Sequence, residues 1–415
     1  MKVLLINSPI RLDAKPSCIP YGLATIASTL RNAGHDIEIY DINALRPSEE
    51  AILSDLKDKQ WDIVGISGLI TTYRFQSWLI PHLREINPDG IIVQGGGLAT
   101  ANPELCTATH IIRGEGERSM LALCSGGFSR YKKPPMKNLD DIPFPAWALL
   151  PMEVYLNNPI WGNAAGNSSG FLPGVKVKRS MNIITSRGCP YSCNFCFHLF
   201  GRGSYRIRSP ENVIAEIEIL IDRYGVDFVG FVDDNTTASK TWIHRLCDLL
   251  IEMKFPITWG CHSRASSITP KLADKLRAAG CVWCGMGLES AAQEILNAMN
   301  KKTSPQEASA AIYALRNVGI YANTSIMFAY PGETPETVQK TIDFKQAHDI
   351  HCGSFWCTSY PGTVLFDQNK EKILAKYGTV EKYVSALGNA TEFTMNFSNM
   401  PDEQAFEMKE KLDSC

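Results

Sequence analysis

Short apolar segments alternate with longer amphipathic segments twice along this chain of 415 residues. The first series occupies residues 1–127 and the second residues 181–363. Alternating strands and helices are typical of a parallel sheet with helices packed on its faces. Because the chain is also longer than one ordinary core requires, the sequence predicts more than one α/β domain.

The first series predicts a five-stranded, flavodoxin-like (Rossmann-type) domain, in which ligands bind at the carboxyl ends of the strands. Small residues follow three of these strands, in the stretches 67–72, 95–100 and 114–117, and glycines there let the backbone approach a large flat ligand. A phosphate or nucleotide site explains the triple glycine equally well. The predicted strands are 2–7, 36–40, 63–67, 91–94 and 110–113, and the predicted helices are 22–33, 49–56, 75–86 and 117–124.

Three cysteines, Cys189, Cys193 and Cys196, follow the first apolar segment of the second series with the spacing C-x3-C-x2-C. Three thiolates on one loop can bind three irons of a [4Fe–4S] cluster, which four cysteines normally hold. One iron would then stay open for a substrate or cofactor. The alternatives are a zinc knuckle completed by His198 and three buried core thiols.

Six strand–helix repeats make up the second series, which is far more than a small zinc module contains. Parallel strands of this kind carry their chemistry at their carboxyl ends. The predicted strands are 182–185, 227–232, 257–261, 282–287, 323–328 and 354–358, and the predicted helices are 210–224, 241–253, 270–279, 291–298, 305–318 and 335–348.

The cysteine loop, with Phe195 before its last cysteine, resembles the signature of the radical S-adenosylmethionine (radical SAM) enzymes. Further motifs of that family follow in order at the predicted strand ends, among them Gly287-Leu288-Glu289-Ser290 and Tyr330-Pro331-Gly332-Glu333-Thr334. The resemblance implies a partial (β/α)6 barrel in which SAM chelates the open iron and is split into methionine and a 5′-deoxyadenosyl radical. It implies SAM contacts by Phe195, Asp233, Asp234, Arg264, Glu289, Ser290, Tyr330 and Pro331, with Glu289 reaching the ribose.

The loops of the first domain resemble, in order, the cobalamin-binding domain of one large class of these enzymes, the class B radical SAM methylase-like group. No D-x-H-x-x-G segment offers a histidine to cobalt, and Leu98 stands where relatives often carry Pro-His. We therefore expect the lower face of cobalt to be open, bound by water, or covered by Leu69, Ile70 or Leu98. A relict domain without cofactor is the alternative. The resemblance implies cobalamin contacts by Ser67, Leu69, Ile70, Thr71, Gly96, Gly97, Leu98, Gly114 and Glu115.

Several of these residues also have an ordinary structural interpretation. Asp233 and Asp234 could cap the next helix, and so could Glu289. Cys281 and Cys284 form a C-x2-C pair on a predicted buried strand, where side chains alternate between faces. We therefore expect their thiols to point in opposite directions as core residues rather than to bind a second cluster. His262 and His351 could be catalytic, but we expect both to be structural.

The predicted domains are 1–127 (cobalamin-binding), 128–180 (linker and irregular loop), 181–363 (partial barrel) and 364–415 (a helical C-terminal region with helices 370–377, 380–387 and 402–412). A net charge of -2 gives no electrostatic case for nucleic acid. No apolar stretch is long enough for a membrane span or a signal peptide, so we expect a cytoplasmic protein. Its 13 cysteines are then thiols or metal ligands rather than disulfides.

Together these features predict an oxygen-sensitive radical SAM enzyme with three cofactors: a 4Fe-4S cluster, S-adenosylmethionine and cobalamin. The expected reaction is methylation of an unactivated carbon or phosphorus centre of a small-molecule substrate, with a one-electron donor such as flavodoxin or ferredoxin. The alternatives are a cobalamin-dependent oxidative cyclase or rearrangement enzyme and a non-catalytic sensor of cluster or cobalamin.

Overall fold

The structure, a computed structural model, describes residues 1–57, 59–127, 134–157, 175 and 177–415. The predicted linker residues 128–133 and the predicted irregular loop 161–170 lie outside the described residues. The chain divides into two compact units, Met1–Ile160 with Gln368–Leu387 and Trp161–Asp367 with Gly388–Cys415. None of the helices in the described ranges has the length and apolar character that crossing a membrane requires.

The first unit contains a five-stranded parallel sheet with the order β2-β1-β3-β4-β5. This is the flavodoxin-like order, which confirms the predicted fold class. Its strands are β1 Lys2–Asn7, β2 Asp36–Asp41, β3 Ile63–Gly68, β4 Ile91–Gly95 and β5 His110–Ile111. Its helices are α1 Tyr21–Asn32, α2 Ile42–Leu45, α3 Glu49–Lys57, α4 Tyr73–Ile86, α5 Gly96–Ala101, α6 Glu117–Cys124 and α7 Met152–Leu156.

Both faces of this sheet are covered by helices, which explains why its central strands read as continuous apolar runs. In β1, Val3 and Leu5 pack into the cluster that includes residues of α1 and α6. Leu4 and Ile6 point the other way and pack with residues of α3 and α4. The alternation along a single strand therefore builds two cores and leaves the strand ends for binding.

The second unit contains a six-stranded parallel sheet in sequential order, β6-β9-β10-β11-β12-β13. Six such repeats confirm the predicted partial barrel. The strands of this sheet are β6 Ser180–Ile183, β9 Phe228–Phe231, β10 Thr258–Ser263, β11 Cys281–Glu289, β12 Tyr321–Phe328 and β13 Ser354–Trp356, and two more strands, β7 Ser186–Gly188 and β8 Tyr205–Ile207, lie outside it. The helices of this unit are α8 Pro210–Tyr224, α9 Lys240–Met253, α10 Pro270–Ala278, α11 Gln293–Ala298, α12 Pro305–Asn317, α13 Pro335–Ala347 and α16 Asp402–Ser414. Two further helices, α14 Val364–Tyr377 and α15 Val380–Ser385, lie between α13 and α16, and residues 368–377 of α14 and all of α15 belong to the first unit.

A two-stranded antiparallel ribbon, β7 with β8, brackets the cysteine loop and was not predicted from the sequence. Gly188 ends β7 with a φ of +85°, and a Cβ atom there would lie 2.2 Å from the backbone oxygen of Ser204. Only glycine fits this close approach of two backbones. The ribbon therefore fixes where the cysteine loop begins and ends.

A bulge in β11 corrects one prediction. Trp259 pairs with Cys281 and Gly260 with Trp283, so one residue of β11 is skipped in the register. The extra residue changes the alternation of faces, and the thiols of Cys281 and Cys284 both interact with that of Cys261. The prediction that they point in opposite directions is wrong, although both are fully buried core thiols, as expected.

The C-terminal region is divided between the two units. Residues 368–387 belong to the first unit, where α15 packs against α4 and the 3₁₀ turn Ile70–Thr72. The Tyr73 hydroxyl donates a hydrogen bond of 2.6 Å to the Glu381 carboxylate there. Residues 388–415 belong to the second unit, in which α16 packs against β13.

Candidate active site

A cavity of about 370 Å³ lies at the carboxyl ends of β9, β10 and β11 in the second unit. Parallel strands of a barrel present their functional side chains at this end. Eight residues that were predicted to bind the cluster or SAM line the cavity: Cys189, Cys193, Cys196, Phe195, Asp233, Asp234, Arg264 and Glu289. The fold thus brings together residues that are up to 100 positions apart in the chain, from Cys189 to Glu289.

The cysteine loop has thiolate character at its centre. Cys193 is buried, and its pKa is lowered below the ordinary value by the hydrogen bond from the Cys196 thiol and by the Lys301 and Arg264 cations. The same pair raises the pKa of Cys196, because one proton is shared between two sulfurs. Burial raises the pKa of Cys189. The two positive charges and the hydrogen bond therefore favour the thiolate of Cys193, the form that binds metals.

The C-terminal end of α11 and the residues that follow it hold this loop through hydrogen bonds. The Asn194 N–H donates to the backbone oxygen of Met299 at 2.9 Å, and the Asn194 side chain donates to that of Ala298 at 3.0 Å. In return, the Asn300 side chain donates to the backbone oxygen of Ser192 at 2.9 Å. These bonds hold the loop in shape with protein partners alone.

The arrangement of the three thiols distinguishes a site for one metal ion from a site for a cluster. Across the ranges that the structure describes, no three His, Cys, Asp or Glu side chains form a group that could hold one metal ion. A four-iron cluster does not need such a group, because each cysteine binds a different iron. His198, the ligand considered for zinc, lines the cavity with the cysteines, and burial lowers its pKa. The three thiols, all of which line this cavity, fit a cluster.

Arg264 is buried beside the cysteines, and two of its nitrogen atoms lack a hydrogen-bond partner among the described residues. Its guanidinium stacks on Tyr191, 3.9 Å from the ring centre, and its Nη1 lies 3.7 Å from Cys193 Sγ. The Nε and Nη2 atoms have no hydrogen-bond partner among the described residues, and neither does Nδ2 of Asn235. Buried N–H groups without partners are costly. An anionic or polar ligand in this cavity would satisfy them.

The two neighbouring aspartates have different environments. The Asp233 carboxylate accepts hydrogen bonds from the N–H and hydroxyl of Thr185, at 2.7 and 2.6 Å, and from the N–H of Ser186 at 2.8 Å. It thereby ties the end of β9 to the start of β7. Asp234 is exposed to the cavity, and its pKa is raised because protein atoms displace water around it. Asp234 is therefore the carboxylate available to a ligand.

Glu289 forms an ion pair that the sequence did not reveal. Lys301 Nζ donates to Glu289 Oε1 at 2.9 Å, and both side chains are largely buried. Glu289 does not cap the following helix, because α11 begins without a side-chain cap. The sequence signal for Lys301 was weak, because it is one of two adjacent lysines, Lys301 and Lys302, in a polar stretch after a short helix.

Three other predicted SAM-contact residues, Ser290, Tyr330 and Pro331, are not among the side chains that line the cavity. The Ser290 hydroxyl accepts a hydrogen bond from the Ala292 N–H at 3.1 Å. The Tyr330 hydroxyl donates to the backbone oxygen of Ala298 at 3.3 Å and so supports the segment that grips the cysteine loop. Their contacts with SAM stay predictions.

The two histidines that we expected to be structural differ in position. His262 lines the cavity, and burial lowers its pKa to about 4, so its imidazole is neutral at pH 7. Its ring makes an edge contact with Trp283, with ring centres 5.2 Å apart. His351 is exposed and lies 2.8 Å from the Asp349 carboxylate.

In the first unit, the three small-residue loops lie next to one another. Gly68 and Gly96 form a bridge, and the Gly114 N–H donates to the Thr100 hydroxyl at 2.9 Å. Gly96 has a φ of +84°, and a Cβ atom there would lie 2.6 Å from Ser67 Oγ, so the position requires glycine. The stretch that we expected to be a loop is in fact helix α5, because Gly96 turns the chain directly from β4 into a helix.

The apolar candidates in these loops are not equally accessible. Leu98 is fully buried, whereas Leu69 is 54 % exposed. Of these two leucines, Leu69 is therefore the one that a ligand arriving from solvent contacts.

A buried chain of hydrogen bonds, which the sequence did not reveal, lies beneath the turn Ile70–Thr72. Gln94 donates to Gln76 at 2.8 Å, and Gln76 donates to the Thr72 hydroxyl at 2.7 Å.

Two family models match the chain, the radical SAM superfamily over residues 183–344 and the B12 binding domain over residues 8–124. The chain is 32 % identical over 403 residues to an uncharacterised methyltransferase, PH0819, of Pyrococcus horikoshii, covering 88 % of this chain and 83 % of that protein. It is 28 % identical over 389 residues to an anaerobic magnesium-protoporphyrin IX monomethyl ester cyclase of Rubrivivax gelatinosus, covering 85 % of this chain and 67 % of that protein.

Among solved structures, the fold is similar to that of TsrM from Kitasatospora setae, a radical S-adenosylmethionine methyltransferase with cobalamin and a [4Fe–4S] cluster bound. The TM-score is 0.70 at 20 % identity, covering 90 % of this chain and 76 % of TsrM. The chain therefore belongs to the radical SAM superfamily, in the group whose members carry a B12-binding domain ahead of the barrel.

Proposed function

We propose that the protein is a cobalamin-dependent radical SAM methyltransferase that methylates an unactivated carbon or phosphorus centre of a small molecule. The observation that supports it most directly is the cavity of the second unit, where three cysteines, an exposed carboxylate and a buried guanidinium with unpaired donors lie together. The names of its relatives include methyltransferases, and TsrM is similar in fold.

In this proposal Cys189, Cys193 and Cys196 hold the cluster. When bound, the cluster supplies the electron that splits SAM, and cobalamin carries the methyl group. An external one-electron donor, flavodoxin or ferredoxin, would reduce the cluster. Because its neighbours favour the thiolate of Cys193, this sulfur can bind iron without first losing a proton.

SAM would occupy the remainder of the cavity. Its carboxylate suits the unpaired N–H groups of Arg264, since a charge-assisted hydrogen bond is among the strongest a buried guanidinium can make. Its amino group, which is neutral when it chelates iron, keeps N–H donors that suit the exposed Asp234 carboxylate. Glu289, whose Oε1 takes the Lys301 hydrogen bond, would accept from the ribose with the other oxygen.

Cobalamin would lie on the loops of the first unit. Ser67, Leu69, Ile70 and Thr71 form one part of this platform, and Gly96, Gly97, Gly114 and Glu115 form the rest. The absence of side chains at Gly96 and Gly97 lets the backbone approach the corrin. Leu69, which is about half exposed, is the apolar side chain that would contact the cofactor there.

The experiment that tests this function is product analysis under anaerobic reducing conditions. The protein is reconstituted with iron, sulfide and hydroxocobalamin, reduced with dithionite and incubated with SAM. We expect both S-adenosylhomocysteine, formed when SAM gives up its methyl group, and 5′-deoxyadenosine, formed when SAM is split.

The second candidate, an oxidative cyclase, is favoured by the similarity to the Rubrivivax gelatinosus cyclase. It predicts 5′-deoxyadenosine without S-adenosylhomocysteine. A sensor would yield neither product. Either result would contradict the methyltransferase proposal.

A further inference from the structure

Lys301 is a buried cation beside the cysteine loop. It is 7 % exposed, and its ammonium group lies 2.9 Å from Glu289 Oε1 and 5.7 Å from the centre of the Phe195 ring. Neither side chain of the pair is more than 12 % exposed, so water and salt screen the two charges only weakly. The pair lines the cavity proposed for SAM.

The backbone at Gly287 leaves room for this pair. A Cβ atom on Gly287 would lie 2.1 Å from Glu289 Oε1 and 2.7 Å from Lys301 Nζ. Glu289 has a φ of +62° at a register shift of β11 against β12. Asn300 and Lys302, on either side of Lys301, both have a φ of +50°. Left-handed residues other than glycine cost energy and concentrate at functional sites.

We infer that the Glu289–Lys301 ion pair is the positioning element of the SAM site. Lys301 orients the Glu289 carboxylate towards the ligand and keeps one positive charge beside the cysteine loop. Gly287 is part of the same element, because its missing side chain is the space in which the pair lies. This inference rests on the proposed function, since it assigns a role towards the cluster and SAM.

An ion pair with a purely structural role makes different predictions. Breaking a buried pair leaves an uncompensated charge and destabilises the protein whichever partner is removed. An electrostatic role towards the cluster instead depends on the sign of the charge that is lost. Loss of the Lys301 cation disfavours the reduced, more negative cluster, whereas loss of the Glu289 anion favours it.

The test compares the reconstituted wild-type protein with Lys301→Met, Lys301→Arg, Glu289→Gln and the double variant Lys301→Met/Glu289→Gln. The readouts are iron content, the midpoint potential of the cluster and the dissociation constant for SAM. The control is Lys340→Met, which breaks the Lys340–Glu294 pair, whose side chains are half exposed. Unchanged iron content in the variants shows that the loop still binds its cluster.

We expect the dissociation constant for SAM to rise about tenfold or more in Lys301→Met and in Glu289→Gln, with the double variant no weaker than either, because both act through one pair. Lys301→Arg should restore binding. The midpoint potential should fall in Lys301→Met and rise in Glu289→Gln, while Lys340→Met changes neither readout.

Two results would overturn this inference and leave the proposed function standing. One is a shift of the midpoint potential in the same direction in Lys301→Met and Glu289→Gln, and the other is unchanged SAM binding in Lys301→Met. A wild-type protein that holds its cluster but does not bind SAM would overturn the proposed function, and this inference with it.

Discussion

Glu333 is a buried carboxyl group that should make the stability of the second unit depend on pH. The residue is 2 % exposed and accepts a hydrogen bond of 3.1 Å from the Tyr330 N–H. Burial raises the pKa of Glu333 from its ordinary value of 4.5 to about 8. At neutral pH the folded protein therefore keeps a proton that the unfolded chain has released.

The sign of the effect follows from this difference in proton binding. A carboxyl group whose pKa is higher in the folded state stabilises that state fully below about pH 4.5, and the contribution is lost as the pH rises through about 8. Because one pKa unit corresponds to about 1.4 kcal/mol, the free energy of unfolding should fall by about 3 kcal/mol between pH 5.5 and 7.5 from this group alone.

Glu333→Gln removes the titration and keeps an oxygen that can accept from the Tyr330 N–H. Urea unfolding of wild type and variant is measured at pH 5.5, 6.5 and 7.5, and the difference in unfolding free energy is taken at each pH, so that other titrating groups cancel. The free energy of unfolding of the variant, relative to that of the wild type, should rise by about 1.4 kcal/mol per pH unit. Glu336→Gln, on an exposed carboxyl group three residues on, is the control and should show no such slope. A difference that does not vary with pH would refute the reasoning.

Three further predictions concern the cofactors. Replacing Cys189, Cys193 or Cys196 with Ala should abolish binding of the roughly four irons expected of one cluster and their charge-transfer absorbance; a triple variant that still assembles such a cluster would place the ligands elsewhere. Arg264→Met should keep the iron and weaken SAM binding by roughly 1.5–3 kcal/mol, the range for a hydrogen bond to a charged group, and unchanged affinity in equilibrium binding would contradict this. Gly97→Phe should lose corrin absorbance after incubation with hydroxocobalamin while it keeps its iron and cleaves SAM; wild-type protein that retains no corrin would show that the first domain is a relict.

The sequence by itself determined the two sheets, the order of their elements and the strand ends at which polar and small residues gather. These features depend on local periodicity and on parallel strands sharing one edge, both of which can be read from neighbouring residues. It also placed Asp234, Arg264 and Glu289 at one barrel end with the cysteines, because each directly follows or ends an apolar strand.

Only the tertiary structure decided which partners those residues have. A one-residue bulge turns Cys281 and Cys284 to the same side, and the pairing of Glu289 with Lys301 depends on the space above Gly287. The hydrogen bonds from Thr185 and Ser186 engage Asp233 and leave Asp234 facing the cavity. Such choices depend on register, on a missing Cβ atom and on contacts between residues far apart in the chain, none of which a residue's own neighbours in sequence specify.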